Sequence, residues 1–176
     1  MLKNLILVGF MGTGKSTIGR QLSKKLGYPL IDTDARIVAQ EKRSIADIFE
    51  AEGEEHFRDL ETETLRSLQS DNCHKRIIAT GGGLVLREEN RHLLRDLGFV
   101  VWLVATPETI LERTSRNKDR PLLQTKDPEE TIRMMLDQRD TSYRESAHLI
   151  LETTNLEFSE ITTGIIESAR YHYGSQ

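Results

Sequence analysis

The chain has one cysteine in 176 residues, no long apolar run and no strong excess of either charge. Cys73 has no second thiol to join, so an internal disulfide is excluded; it sits in the polar stretch 70–76 beside His74 and reads as a bystander thiol. No apolar run approaches the roughly 18 residues of a membrane span, and the N-terminus offers only Leu5 to Val8 before a glycine. A cytoplasmic protein with no membrane partner is expected. Net charge is −4 and the pI about 5.8. No cluster of Lys and Arg is interleaved with aromatics, which argues against a nucleic-acid partner. Linkers, repeats and low-complexity tracts are missing too, so residues 1–176 read as one domain around one core.

What is present begins at Gly9. Gly9-Phe10-Met11-Gly12-Thr13-Gly14-Lys15-Ser16-Thr17 fits the phosphate-cradling pattern Gly-x-x-x-x-Gly-Lys-Ser, directly after the apolar run Leu5 to Val8. Such a loop lets backbone N–H groups approach phosphates, with Lys15 on the β and γ oxygens and the Ser16 hydroxyl on Mg2+. Ile18, Leu22 and Leu26 follow at helical spacing and Gly27 closes the helix. The helix N-terminus adds a partial positive charge for the anion. A nucleoside triphosphate with Mg2+ is therefore the expected ligand, with Gly12, Thr13, Gly14, Lys15, Ser16 and Thr17 around the nucleotide.

Strands and helices alternate along the chain, which predicts a parallel sheet with helices on both faces. Strands are expected at Leu5 to Val8, Pro29 to Ile31, Arg76 to Thr80, Phe99 to Val104 and His148 to Glu152. Separate helices are expected at Ile45 to Glu50 and Glu54 to Leu68, and others begin at Pro107 and Pro128 behind Thr106 and Asp127 caps. Gly98 is expected to end a helix in the left-handed conformation. The interval 116–126 lacks apolar periodicity apart from Leu122-Leu123 and carries Arg116, Lys118, Arg120 and Lys126, the composition of a basic flap.

Ligands of open α/β sheets gather beyond the strands' carboxyl ends. Phosphoryl transfer asks for a metal near the phosphates and a group that orients the acceptor hydroxyl. The third strand ends in Thr80 and Gly81 with no carboxylate; the nearest acids at a strand end are Asp32 and Asp34. Asp32 is assigned to the magnesium side through water, and Asp34 to the acceptor hydroxyl, with an alternative in which Asp34 only caps a helix from Ala35. Gly81-Gly82-Gly83 suits close backbone approach, three exposed amides meeting an oxyanion or hydroxyls. Arg58 can pair with Glu54 and Glu61 on its own helix, Arg139 lies beside Asp140, and Arg120 could swing over the transferring group.

Together these features resemble shikimate kinases over nearly the whole chain. The carriers are Gly9 to Thr17, Asp32-Thr33-Asp34, Phe57-Arg58 with Glu61, Thr80-Gly81-Gly82-Gly83, Arg120-Pro121-Leu122-Leu123, and Arg139 four residues before Tyr143. The resemblance implies an α/β P-loop kinase fold, a five-stranded parallel sheet flanked by helices, with a flexible lid at about 116–126 and an acceptor-binding region at about 34–62. It implies phosphorylation of the 3-hydroxyl of shikimate by ATP, on the route to chorismate and the aromatic amino acids. In that family the counterparts of Asp34, Arg58, Gly81, Gly82 and Arg139 hold shikimate, Arg58 and Arg139 taking its carboxylate; Gly83 is grouped with them here. Phe49 and Phe57 match positions lining the acceptor pocket, Arg113 one near the adenine, and Arg120 the lid arginine on the phosphates. Asp34, Lys15 and Arg120 are the expected catalytic set, in a monomer with a small-molecule partner. A kinase of gluconate or of a nucleoside monophosphate, and a non-catalytic ATP-binding regulator, stay open as alternatives.

Overall fold

The computed structural model describes residues 3–71, 73–115 and 127–174. The expected basic flap at 116–126, Arg120 included, lies outside the described residues. Five parallel strands, β1 (Asn4–Val8), β2 (Leu30–Asp32), β3 (Ile77–Ala79), β4 (Gly98–Val104) and β5 (Leu149–Glu152), form one sheet in the order β2-β3-β1-β4-β5. Helices connect them: α1 (Lys15–Leu26), α2 (Thr33–Glu41), α3 (Ile45–Ser70), α4 (Glu88–Leu97), α5 (Pro107–Ser115), α6 (Pro128–Ser146) and α7 (Phe158–Gly174). After β1 the chain runs outward to β2 and back to β3, then crosses to β4. β1 is therefore flanked by strands reached in opposite directions, and the crevice beyond its carboxyl end is the topological place for a ligand.

Two-residue periodicity distributes the strands' side chains between two cores. Leu5, Leu7, Phe99, Val101 and Leu103 pack with Ile18 and Leu22 of α1 and with Ile161, Ile165 and Ile166 of α7. Ile6, Val8, Val100 and Trp102 face the other way, onto Leu65 and Leu68 of α3, Leu94 of α4 and Tyr143 of α6. All of β1 is buried, as a strand covered on both faces must be. Among the described residues no helix is long and apolar enough to cross a membrane.

Local chemistry sets the element boundaries. Gly27 ends α1 in the left-handed region, and Asp127 caps α6 by accepting the Glu130 amide at 3.1 Å, both as expected. Ser44 and Asp47 form a reciprocal capping box that starts α3. The two helices expected over 45–68 meet at Gly53, whose φ of 85° breaks the α3 backbone once. Strand ends shift by at most one residue, most usefully at β2, which runs on to Asp32.

Gly98 departs from expectation. It does end α4, its amide donating to the Leu94 carbonyl, but its φ of 166° is extended backbone with no left-handed turn, and the same residue opens β4. Glycine is required there by space: a Cβ would collide with the carbonyl oxygen of Asn4 on the neighbouring strand. Asn4 is itself a buried staple, donating to the Leu97 carbonyl at 2.9 Å and accepting the Arg76 amide at 3.0 Å. Gly98→Ala should destabilise the protein by about 1–3 kcal/mol, the usual cost of overpacking. Urea unfolding should show a lower midpoint at an unchanged slope; an unaltered midpoint would mean that β1 and β4 can separate without loss.

Candidate active site

The loop between β1 and α1 is shaped for an anion. Gly9, Gly12 and Gly14 all have positive φ, and at Gly9 a Cβ would also collide with the Leu103 carbonyl oxygen, so no other residue fits. No side chain caps the start of α1, and no acidic residue occupies its first turn, which leaves the positive end of the helix to the ligand. The Lys15 ammonium lies across the loop, donating to the carbonyls of Gly9 at 2.7 Å and Phe10 at 2.8 Å. Thr13 is buried and donates to the Phe10 carbonyl, whereas Ser16 is exposed and Thr17 half-buried. Arg113 on α5 donates to the Gly12 carbonyl at 3.3 Å and the Thr153 carbonyl at 3.2 Å, bracing the loop from the side.

Asp32 and Asp34 exchange one expected role. Because α2 starts at Thr33, Asp32 is its cap and accepts the Ala35 amide on Oδ1 at 3.1 Å, while Asp34 falls in the first helical turn. The capping alternative for Asp34 is thereby corrected. β2 pairs with β3 with Asp32 opposite Ala79, so the residues that follow each strand also lie side by side. Thr33 is buried and its hydroxyl accepts the Gly81 amide at 3.2 Å. This overturns the expectation of three exposed amides: Gly81 and Gly83 are buried, and the first of the three amides is already bonded.

The triple glycine does something else. None of its members has positive φ; what matters is the missing side chains. The place of a Cβ on Gly81 lies 2.5 Å from Asp34 Oδ1 and 2.8 Å from Glu61 Oε1. On Gly83 it lies 2.5 Å from the Arg58 guanidinium. Gly82 packs against the phosphate loop, its Cβ position 3.5 Å from both the Gly9 carbonyl oxygen and the Met11 amide. Its own carbonyl accepts the Tyr143 hydroxyl at 2.6 Å and Arg139 Nη1 at 3.4 Å. Arg139 also stands 5.4 Å from the centre of the Phe10 ring in the phosphate loop. Three consecutive glycines thus gather Asp34, Arg58 and Arg139 beside the phosphate cradle.

The charges in this cluster are strongly coupled. Arg58 is 9 % exposed and bonded to Glu61 and Glu54, both at 2.7 Å. The pairing with Glu54 and Glu61 expected along its own helix is therefore part of a mostly buried network. Burial works against the Arg58 charge, but the two carboxylates outweigh it and the guanidinium titrates above its ordinary value. Glu61 is fully buried; burial pushes its carboxyl up to about 7, the adjacent Asp34 charge adding to the rise and Arg58 opposing it. Phe57 is buried with its ring centre 5.0 Å from that of half-buried Phe49, forming an apolar wall with Ile48 and Leu60. Glu61, Thr33 and Tyr143 are the members that sequence reasoning left without a site role. The i+3 spacing of Glu61 from Arg58 was the available signal for the first.

The residues that could face a magnesium ion are few. Among the described residues there is no group of three or more His, Cys, Asp or Glu able to hold a metal. Mg2+ brought in with a nucleotide keeps waters and phosphate oxygens and asks for only one or two protein oxygens. The exposed Ser16 hydroxyl at the start of α1 and the Asp32 carboxylate fit that demand.

Comparison with known proteins agrees with this arrangement. A family model described as shikimate kinase matches residues 11–170. The shikimate kinase of Geobacter sulfurreducens is 42 % identical, covering 97 % of this chain and 92 % of its own length. That of Dechloromonas aromatica is also 42 % identical, over 94 % and 87 %. The solved shikimate kinase of Acinetobacter baumannii, in complex with shikimate, superposes with a TM-score of 0.89 at 39 % identity, covering 100 % of this chain and 96 % of that one. With its phosphate loop, sheet order and matched length, this chain belongs to the shikimate kinase family.

Proposed function

We propose that the protein transfers the γ-phosphoryl group of ATP to the 3-hydroxyl of shikimate, giving shikimate 3-phosphate and ADP. The observation that carries the reading is the meeting of two differently built half-sites at Gly82: an anion cradle on one side, and on the other a carboxylate with two guanidinium groups. Two guanidinium forks suit one carboxylate, and an acid beside them suits a hydroxyl. A nucleotide acceptor would call for a base-stacking pocket, and the aromatic wall of Phe49 and Phe57 abuts Arg58 instead.

In this reading Lys15 and the amides at the start of α1 hold the triphosphate, and Arg113 braces the loop near the base. Arg58 and Arg139 hold the shikimate carboxylate, and the walls are Phe49, Phe57 and the triple glycine. Asp34 faces the 3-hydroxyl and takes its proton as the oxygen bonds to phosphorus and the bond to the ADP oxygen breaks. Mg2+ would supply charge neutralisation at the β and γ phosphates, held by Ser16 and, through water, Asp32. Arg120, from the basic stretch outside the described residues, would reach the same phosphates. Residues 34–62 would form the acceptor half of a single catalytic domain.

A coupled assay of ADP release tests the reading. Turnover is expected with shikimate and negligible turnover with gluconate or AMP; preference for either rival, or ATP binding without transfer to any of them, overturns it. Asp34→Asn should lower kcat by about 10²- to 10⁴-fold, the range of general-base contributions, with ATP affinity nearly unchanged. Arg139→Ala should weaken shikimate binding by about 2–5 kcal/mol and spare the KM for ATP. Gly83→Ala should push the Arg58 guanidinium aside and raise the KM for shikimate, again without effect on ATP.

The buried acid adds a stability signature. Glu61 keeps its proton up to about pH 7 in the folded protein, against an ordinary value of 4.5. Between those values the folded state binds the extra proton, so this group's contribution falls as pH rises and is fully lost above about 7. The wild-type protein should therefore lose unfolding free energy relative to Glu61→Gln from pH 5 to pH 8 in parallel urea titrations. A pH-independent difference would show that Glu61 ionises normally.

A further inference from the structure

Tyr143 has no exposed surface, and its ring stacks on Trp102 with centres 5.2 Å apart and planes 14° from parallel. The ring is thus fixed, and its hydroxyl with it. Tyr143 and Arg139 are four residues apart on α6 and share one face of the helix, and both donate to the same oxygen, the Gly82 carbonyl. The two bonds are unequal: 2.6 Å from the phenol, 3.4 Å from the guanidinium. A half-buried carbonyl loses stability when it gives up its shorter bond, so the closer of the two donors is the one that holds it. The phenol has no other place to go, whereas Arg139 is half-buried and beside the phosphate loop.

We propose that Tyr143 is a positioning residue for the acceptor site, whose hydroxyl satisfies the Gly82 carbonyl so that Arg139 is released to bind the substrate carboxylate. The inference rests on the reading of shikimate as acceptor. Without the hydroxyl, Gly82 would depend on Arg139 alone, and the guanidinium would be held on the carbonyl in competition with the ligand. Burial pushes the Tyr143 phenol up to about 12, although the Arg139 guanidinium, by its charge and a hydrogen bond, and Arg58 pull it down, so it stays a protonated donor at any working pH. Glu61 also acts on it, raising its value further.

Tyr143→Phe removes the donor and keeps the ring on Trp102. Titration calorimetry of the purified variant should show a Kd for shikimate raised about three- to tenfold, the worth of one hydrogen bond, with the Kd for ADP within twofold of wild type. A thermal midpoint that falls while the shikimate Kd stays within twofold would overturn the inference and leave the hydroxyl a structural group. Equal weakening of both ligands would overturn it too, as general loosening. In the wild-type protein, the phenolic proton of Tyr143 should appear by NMR as a slowly exchanging resonance that shifts on saturation with shikimate, and a resonance indifferent to shikimate contradicts the inference without any variant. Wild-type protein that fails to bind shikimate would refute the acceptor assignment itself, a result distinct from normal binding by wild type and variant alike.

Discussion

The site depends on the emptiness of three successive side-chain positions at the end of β3. The pairing of β2 with β3 puts Asp32 opposite Ala79, and from there the geometry leaves no choice. The α2 acid arrives over Gly81, the Arg58 guanidinium over Gly83, and the phosphate loop against Gly82. A methyl group on the outer two would occupy the space of a charged group. Glycine is used here for volume more than for conformational freedom, because these backbones lie outside the left-handed region. The phosphate loop uses glycine in the other way, with positive φ at Gly9, Gly12 and Gly14.

Much of this was legible in the chain. The order of strands and helices, the phosphate loop, the Gly27 and Asp127 caps and the break near Gly53 all follow from local chemistry, and local chemistry is what a sequence carries. The sequence is ambiguous where a second strand decides. Gly98 does end α4, but without the left-handed turn, because the Asn4 carbonyl lies beside it, and the capping alternative for Asp34 falls once β2 is seen to extend to Asp32. The partners of Arg58, Glu54 and Glu61, are legible in the chain, since i−4 and i+3 neighbours meet on any helix. Its burial was not legible, because that comes from the triple glycine closing over it. Tyr143 illustrates the same limit: the sequence shows its spacing from Arg139, whereas the oxygen that the two share belongs to a residue 61 positions away.

Electrostatically the proposed acceptor half-site is a compact arrangement of opposite charges. Arg58, Glu61, Glu54 and Asp34 lie close enough that burial and mutual charge move Arg58 and Glu61 from their ordinary values. Such a network is expensive to desolvate and gains little net stability over an apolar packing. Its value lies in orientation: the Arg58 fork is held at two points by Glu54 and Glu61, so little side-chain freedom remains to be lost when a ligand arrives.

The donor half-site is prepared differently. The long side chain of Lys15 is folded back across its own loop, with its ammonium already bonded to the Gly9 and Phe10 carbonyls. On the proposed reading, a triphosphate entering the cradle would meet a cation whose rotamers are largely settled. Nucleotide capture would thereby become an exchange of oxygen partners at a fixed nitrogen, with the loop's carbonyls ready to take the ammonium back when the product leaves.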